Sequence, residues 1–147
     1  MINTLLFLFL APLVFVADRL SKFVVIGRLA EGESIPLTFF FHLTRVSNTG
    51  AAFGLLRDSR ILLVGTSALC VVFLCVMIAR KQSGLSLAAS ALILGGALGN
   101  LYDRLAYGYV VDFLDFRVWP VFNIADSAIS IGIGLIFLDL FLRRKHG

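Results

Sequence analysis

The chain has 147 residues, of which 59% are hydrophobic and only 15% charged, with a mean hydropathy of +0.96. A water-soluble domain of this size needs far more polar surface, so the excess apolar residues face a bilayer, and at about 20 residues per span there is room for at most about six helices, which excludes a large transporter built from one copy. The net charge of +4 lies mostly beside apolar runs and not in one patch, which argues against nucleic acid as a partner.

Four apolar stretches emerge in chain order, at about residues 3–26, 61–79, 85–101 and 122–142, and they predict four transmembrane helices in one domain, 1–147. The apolar core of the first, residues 5–17, has the length of a signal-peptide core. No Lys or Arg precedes it, however, and Asp18-Arg19-Leu20-Ser21-Lys22 runs into Phe23-Val24-Val25-Ile26 without a small-x-small cleavage site, so a retained helix is expected. Asp18 and Lys22 are four apart in the favourable order for a helical ion pair. In the outer segment 27–60, residues 35–46 are rich in Phe, Thr, Val and Leu with partial alternation, between Gly32 and Pro36 on one side and Asn48-Thr49-Gly50 on the other. A small sheet or pair of strands outside the membrane is predicted there, between helices 1 and 2, with Phe39, Phe40 and Phe41 near the lipid surface. In the second span, Cys70 and Cys75 fall on different helix faces, which suits neither a disulfide nor a metal pair; they read as buried small apolar residues.

The end of the third span gathers Gly96, Gly99, Asn100, Asp103 and Arg104, with 96, 100, 103 and 104 on one helical face. Val110-Val111-Asp112-Phe113-Leu114-Asp115-Phe116 reads as a short extended segment. The start of the fourth span carries Asn123, Asp126, Ser127 and Ser130 on one face. Small residues (Gly95, Gly96 and Gly99; Ser130 and Gly134; Ala128 and Gly132) predict close approach of these helices. The connection Arg80-Lys81-Gln82-Ser83-Gly84 and the tail Arg143-Arg144-Lys145-His146 are densely basic, which places them and both termini in the cytoplasm. Every strong polar cluster then falls at one depth, near the outer interface, where scattered structural ion pairs would have no reason to collect.

Ionisable groups in or near lipid cost several kcal/mol unless paired, hydrated or functional. With only His42 and His146 in the chain, a Ser-His-Asp triad or a His-rich metal site is not expected, and carboxylates remain. Two aspartates held close keep one proton between them: the protonated one polarises a carbonyl and the ionised one activates water. Asp112 and Asp126, each flanked by apolar residues, are the pair of choice. Asp103 precedes Arg104, Asp115 sits near Arg117, and Asp139 lies four before Arg143, so these three read as structural. Asn48, Asn100 and Asn123 are either interhelical hydrogen-bonding amides or groups that position a peptide backbone. Composition and spacing alone leave three readings open: a carboxylate protease, an ion- or proton-conducting subunit using the same aspartates, and an assembly factor without catalysis.

Taken together, five blocks resemble the signal peptidase II family of bacterial membrane aspartic peptidases: Asp18-Arg19-Leu20-Ser21-Lys22; Asn48-Thr49-Gly50-Ala51-Ala52-Phe53-Gly54; Gly96-Ala97-Leu98-Gly99-Asn100-Leu101-Tyr102-Asp103-Arg104; Val110-Val111-Asp112-Phe113; and Phe122-Asn123-Ile124-Ala125-Asp126-Ser127. The resemblance implies that Asp112 and Asp126 are catalytic, that Asn48, Gly50, Asn100, Arg104 and Asn123 line the site, and that Asp18 and Lys22 help to hold it. It implies further a diacylglyceryl prolipoprotein substrate cleaved just before its lipid-modified cysteine, no metal or organic cofactor, a monomer among the lipids of the bacterial inner membrane, and a site near the outer face. The outer segment 27–60 would be a sheet that cradles substrate, with the stretch 55–60 a flap over it.

Overall fold

The computed structural model describes residues 2–50, 60–78 and 84–146. Four helices, α1 (Ile2–Arg28), α2 (Arg60–Ile78), α3 (Gly84–Ala106) and α4 (Ile124–His146), are accompanied by three short strands, β1 (Ser34–Pro36), β2 (His42–Asn48) and β3 (Val110–Asp115). The residues expected to form a flap, 55–59, and the basic connection 80–83 lie outside the described residues. By length and composition α3 and residues 124–144 of α4 are able to cross a membrane, and residues 61–76 of α2 form a shorter apolar helix.

The hub is α3, against which α1, α2 and α4 all pack. Its glycines explain how closely: a Cβ on Gly96 would collide with the backbone oxygen of Ala125 in α4, and one on Gly95 would lie 2.6 Å from the backbone oxygen of Ala11 in α1. Gly132 on α4 has a similar role against Ile93 and Ala89. Gly134, expected to act likewise, has nothing within 4 Å of where its Cβ would stand and brings no helix closer.

The distribution of polarity is inverted relative to a soluble protein. Among the described residues, four of the five largest fully buried side chains are Lys22, Asn123, Asp18 and Asp103, while Phe9, Leu13, Phe23, Leu69, Phe137 and Phe141 lie exposed on the outer faces of α1, α2 and α4. Such a surface is stable against hydrocarbon and not against water. Cys70 and Cys75 are free, as expected, but both are exposed on this outer surface of α2 and not buried, because α2 turns only one side to α3.

The sheet is antiparallel in the order β1-β2-β3. It is therefore not confined to the connection between the first two helices: its third strand, β3, comes from the connection between α3 and α4. Phe39, Phe40 and Phe41 lie in the turn between β1 and β2, with Phe39 and Phe40 exposed and ring contacts from Phe40 and Phe41 to Phe116. Between Leu43 and Val46 the pairing of β2 with β3 is interrupted by a bulge. One face of β3, Val111 and Phe113, packs on Val25 of α1. Gly108, at φ +84°, supplies the left-handed turn that takes the chain from α3 into β3.

Candidate active site

Two local devices bring distant residues together. Val46 is the direct cross-strand partner of Asp112, so Asn48, two residues on, is its diagonal neighbour on the same face. Asn48 Nδ2 donates to Asp112 Oδ2 at 2.9 Å, while its own Oδ1 accepts from the Gly50 amide at 3.0 Å. After β3 the chain loops out over residues 116–121 and returns to pair Phe122 with Leu114 through backbone bonds of 2.7 and 3.1 Å. That return delivers Asn123 beside Asp112, and Asn123 Nδ2 donates to Asp112 Oδ1 at 2.6 Å.

Asn123 is also the N-cap of α4. Its Oδ1 accepts from the Asp126 amide at 2.9 Å, and the Asp126 carboxylate accepts from the Asn123 amide at 3.3 Å, a reciprocal capping pair at N-cap and N3. Asn100 of α3 donates to Asp126 Oδ1 at 2.8 Å. Both aspartates thus receive amide donors on both oxygens, and both line one cavity of about 860 Å³ together with Asn48, Gly50, Asn100 and Arg104. Burial first, then the nearby Asp126 charge, outweigh those donors at Asp112 and push its carboxyl up to about 7, so it keeps a proton into a pH range where an ordinary aspartate is ionised.

Beneath the cavity lies a charged layer. Lys22 Nζ stands 2.8 Å from Asp18 Oδ2 and 2.8 Å from Asp103 Oδ2, and donates to Asn100 Oδ1 at 3.1 Å. Asp18 Oδ1 accepts from the Ala125 amide at 3.0 Å, so a carboxylate from α1 satisfies a free donor in the first turn of α4, where the helix dipole also favours negative charge. Gly99 leaves room for this: its Cβ would lie 2.6 Å from Asp18 Oδ2.

Of the nine residues singled out from the sequence, Asn48, Gly50, Asn100, Arg104, Asp112 and Asp126 line the cavity, Asn123 is buried behind it and holds Asp112, and Asp18 and Lys22 form the layer under it. Asp103 is different from its expectation. It does not pair with Arg104; it is fully buried against Lys22 and Arg19 and accepts from the Val111 amide at 3.2 Å, pinning β3 to α3. Arg19, whose guanidinium lies 4.4 Å over the Tyr102 ring, was not singled out, although its place between Asp18 and Lys22 in one motif was a usable signal. Arg104 reaches Ser67 of α2 at 3.2 Å, a contact with no sequence signal. Asp115 pairs with Arg117 at 3.1 Å and Asp139 with Arg143 at 2.8 Å, as expected.

A family model described as signal peptidase (SPase) II matches residues 10–142. The lipoprotein signal peptidase of Halothermothrix orenii is 44% identical over 137 residues, covering 92% of this chain and 94% of that one. That of Moorella thermoacetica is 48% identical over 142 residues, covering 92% and 93%. Among solved structures, a bacterial membrane enzyme determined by the in meso method at 2.3 Å superposes with a TM-score of 0.90 at 28% identity, over 95% of this chain and 90% of that one.

Proposed function

The chain belongs to the signal peptidase II family and is a membrane peptidase, and we propose that it releases signal peptides from diacylglyceryl-modified prolipoproteins with Asp112 and Asp126 as its catalytic pair. The observation that carries the assignment is that these two carboxyls share one cavity, each fixed by asparagine donors, in an environment where burial and the Asp126 charge favour a proton on Asp112. Neutral Asp112 donates a hydrogen bond to the oxygen of the scissile carbonyl. Ionised Asp126 takes a proton from water as the water oxygen attacks the carbonyl carbon, and that proton passes to the leaving amine when the tetrahedral intermediate collapses. Arg104 lines the cavity and opposes the negative charge that develops there. No step calls for a metal or an organic cofactor, and every side chain named comes from one chain, so a monomer suffices.

The membrane arrangement belongs to the same proposal. Residues 1–147 form one domain of four spans, with both termini cytoplasmic and the sheet on the outer face of the bacterial inner membrane. The exposed apolar faces of the helices and the dense basic residues near 80 and 143 support it. A lipid-modified cysteine at the end of a signal helix presents its scissile bond at that depth. A charge-conducting subunit would instead need ionisable groups along a span, and α4 has none between Asp126 and Asp139, about 20 Å of helix.

The test is incubation of the purified chain with a diacylglyceryl prolipoprotein. Asp112→Asn and Asp126→Asn should each fold and yet lower the rate of signal-peptide release by about 10²–10⁴-fold. Normal processing by either variant sinks the assignment.

A further inference from the structure

Lys22 does not balance the layer beneath the cavity by itself. Two fully buried carboxylates, Asp18 and Asp103, face it, and its donors are already divided among Asp18 Oδ2, Asp103 Oδ2 and Asn100 Oδ1. The second cation is Arg19, whose Nη1 pairs with the other oxygen of Asp103, Oδ1. We infer that Arg19 is a positioning residue for catalysis: held against two tyrosine rings, it fixes the Asp103 carboxylate and, through it, the strand that presents Asp112. The inference rests on the catalytic pair assigned above.

The path from Arg19 to Asp112 is short. Asp103 Oδ2 accepts from the Val111 amide at 3.2 Å, and the Val111 carbonyl accepts from Asn123 Nδ2 at 3.3 Å. Val111 is buried against Val25 of α1, and the alternation of the strand turns the next side chain, Asp112, to the cavity. The N–H and C=O of Val111 are thus fixed by Asp103 and by Asn123, the residue that also holds Asp112 Oδ1. A tilt of Asp103 moves the Asp112 carboxyl relative to Asp126, and the reaction depends on that placement.

Arg19 is itself held in a way that suits a guanidinium. Its Cζ stands 4.4 Å from the Tyr102 ring centroid and 5.9 Å from that of Tyr107, the two rings meet edge to face at 6.3 Å, and Phe15, about one turn earlier on α1, lies edge-on to Tyr102 at 6.2 Å. Both tyrosines flank Asp103 on the chain, and the Tyr107 amide donates to the Asp103 carbonyl at 2.8 Å. A flat cation stacked on rings keeps its donors in one plane, aimed at Oδ1, whereas a lysine ammonium on a flexible stem would not. Charge points the same way. Arg19 and Lys22, three apart on one helix, repel each other, and Asp103 from the neighbouring helix pairs with both. With Arg19 the layer carries two positive and two negative charges; without it, one negative charge stays uncompensated under the cavity. The charged groups around Asp112 are Asp126 on α4, Arg104 and Asp103 on α3, and Asp18, Lys22 and Arg19 on α1, while β2 brings it the neutral amide of Asn48. Loss of Arg19 therefore favours the protonated form of Asp112 further.

The test follows cleavage of a diacylglyceryl prolipoprotein by the purified chain in mixed micelles, with SDS titration of each variant as the measure of folding. Arg19→Gln lowers kcat by about ten- to a hundredfold with KM within about twofold, and moves the alkaline limb of the kcat/KM profile up by about half a pH unit. Arg19→Lys, which keeps the charge, returns the limb to its place and recovers only part of kcat. Arg19→Gln combined with Asp103→Asn also returns the limb, since both charges go together. Tyr102→Leu lowers kcat in the same direction, and Tyr102→Phe restores most of it. An unchanged kcat and limb in Arg19→Gln overturn the proposal. So does a loss of folded protein with normal turnover and an unmoved limb in what remains, which would make Arg19 a fold residue only. A rise in KM at constant kcat overturns it too, by placing Arg19 on the substrate. If the unaltered chain cleaves nothing, the catalytic assignment itself fails and this role fails with it.

Discussion

Lys22→Met removes one charge and keeps most of the volume, at the point where three helices meet. In the structure Lys22 Nζ pairs with two fully buried carboxylates, Asp18 and Asp103, each at 2.8 Å. Arg19 reaches only Asp103, so without Lys22 the Asp18 carboxylate keeps a single donor, the Ala125 amide. Stripping one partner from a buried ion pair costs about 3–5 kcal/mol, and Asp18, left without a cation while Asp103 keeps Arg19, places this variant in that range. Unfolding by SDS titration in mixed micelles, followed by circular dichroism, measures the loss. Neutralising the stranded partner should recover part of it, so Lys22→Met combined with Asp18→Asn should show a coupling of about 1 kcal/mol or more. A loss below about 1 kcal/mol, the size of an exposed pair, would refute the reasoning by showing that water reaches Lys22. Activity should fall as well, because Asn100, which holds Asp126, loses the cation on its carbonyl oxygen.

Asp112 gives the pH dependence. Its carboxyl is raised from 3.8 to about 7 on folding, so the stability of its neutral form is complete below the unfolded value and is lost as pH rises through the folded one. Proteolysis should decline above about pH 7 by roughly tenfold per unit as the shared proton leaves, and a kcat/KM profile flat from about pH 6 to 9 would contradict this. Gly99→Ala should lower both melting temperature and activity, since the new Cβ would stand 2.6 Å from Asp18 Oδ2; Gly134→Ala, with open space around it, should gain up to about 1 kcal/mol in a thermal melt. Asp139→Asn should retain activity in the peptide-release assay, because Asp139 pairs with Arg143 and Ser86 far from the cavity.

Much of this was legible because the polar residues of so apolar a chain are few and each must be satisfied. Helical spacing groups Gly96, Asn100, Asp103 and Arg104, and separately Asn123, Asp126, Ser127 and Ser130; of these Asn100, Arg104, Asp126, Ser127 and Ser130 line the cavity, Asn123 holds Asp112, and Asp103 lies in the charged layer on Lys22. Spacing within one element, however, carries nothing about pairing between elements. Adjacency in sequence suggests Arg104 as the partner of Asp103, but adjacent helical residues diverge by about 100°, and the partners of Asp103 lie on α1. The alternation after Val111 predicts an extended third strand, yet its union with β2 depends on contacts across more than 60 residues that no local pattern encodes. Exposure of Cys70 and Cys75 likewise follows from how many neighbours α2 has, a tertiary fact.

The bulge in β2 decides which way Asn48 looks. Leu43 faces Leu114 and Val46 faces Asp112, so β2 spends three steps where β3 spends two. The extra residue reverses the parity of the strand. Upstream, Thr44 turns to Asp115; Arg45 then reaches the carbonyls at the end of α1; downstream, Asn48 turns to Asp112. Paired residue for residue without the bulge, β2 would set Val46 against Val111, Asn48 would take the face of Val111 and Phe113, against α1, and the Asp112 carboxyl would lose one of its two side-chain amide donors. For a strand of this length, the irregular pairing between Leu43 and Val46 is therefore as strict a requirement of this site as the identity of Asn48.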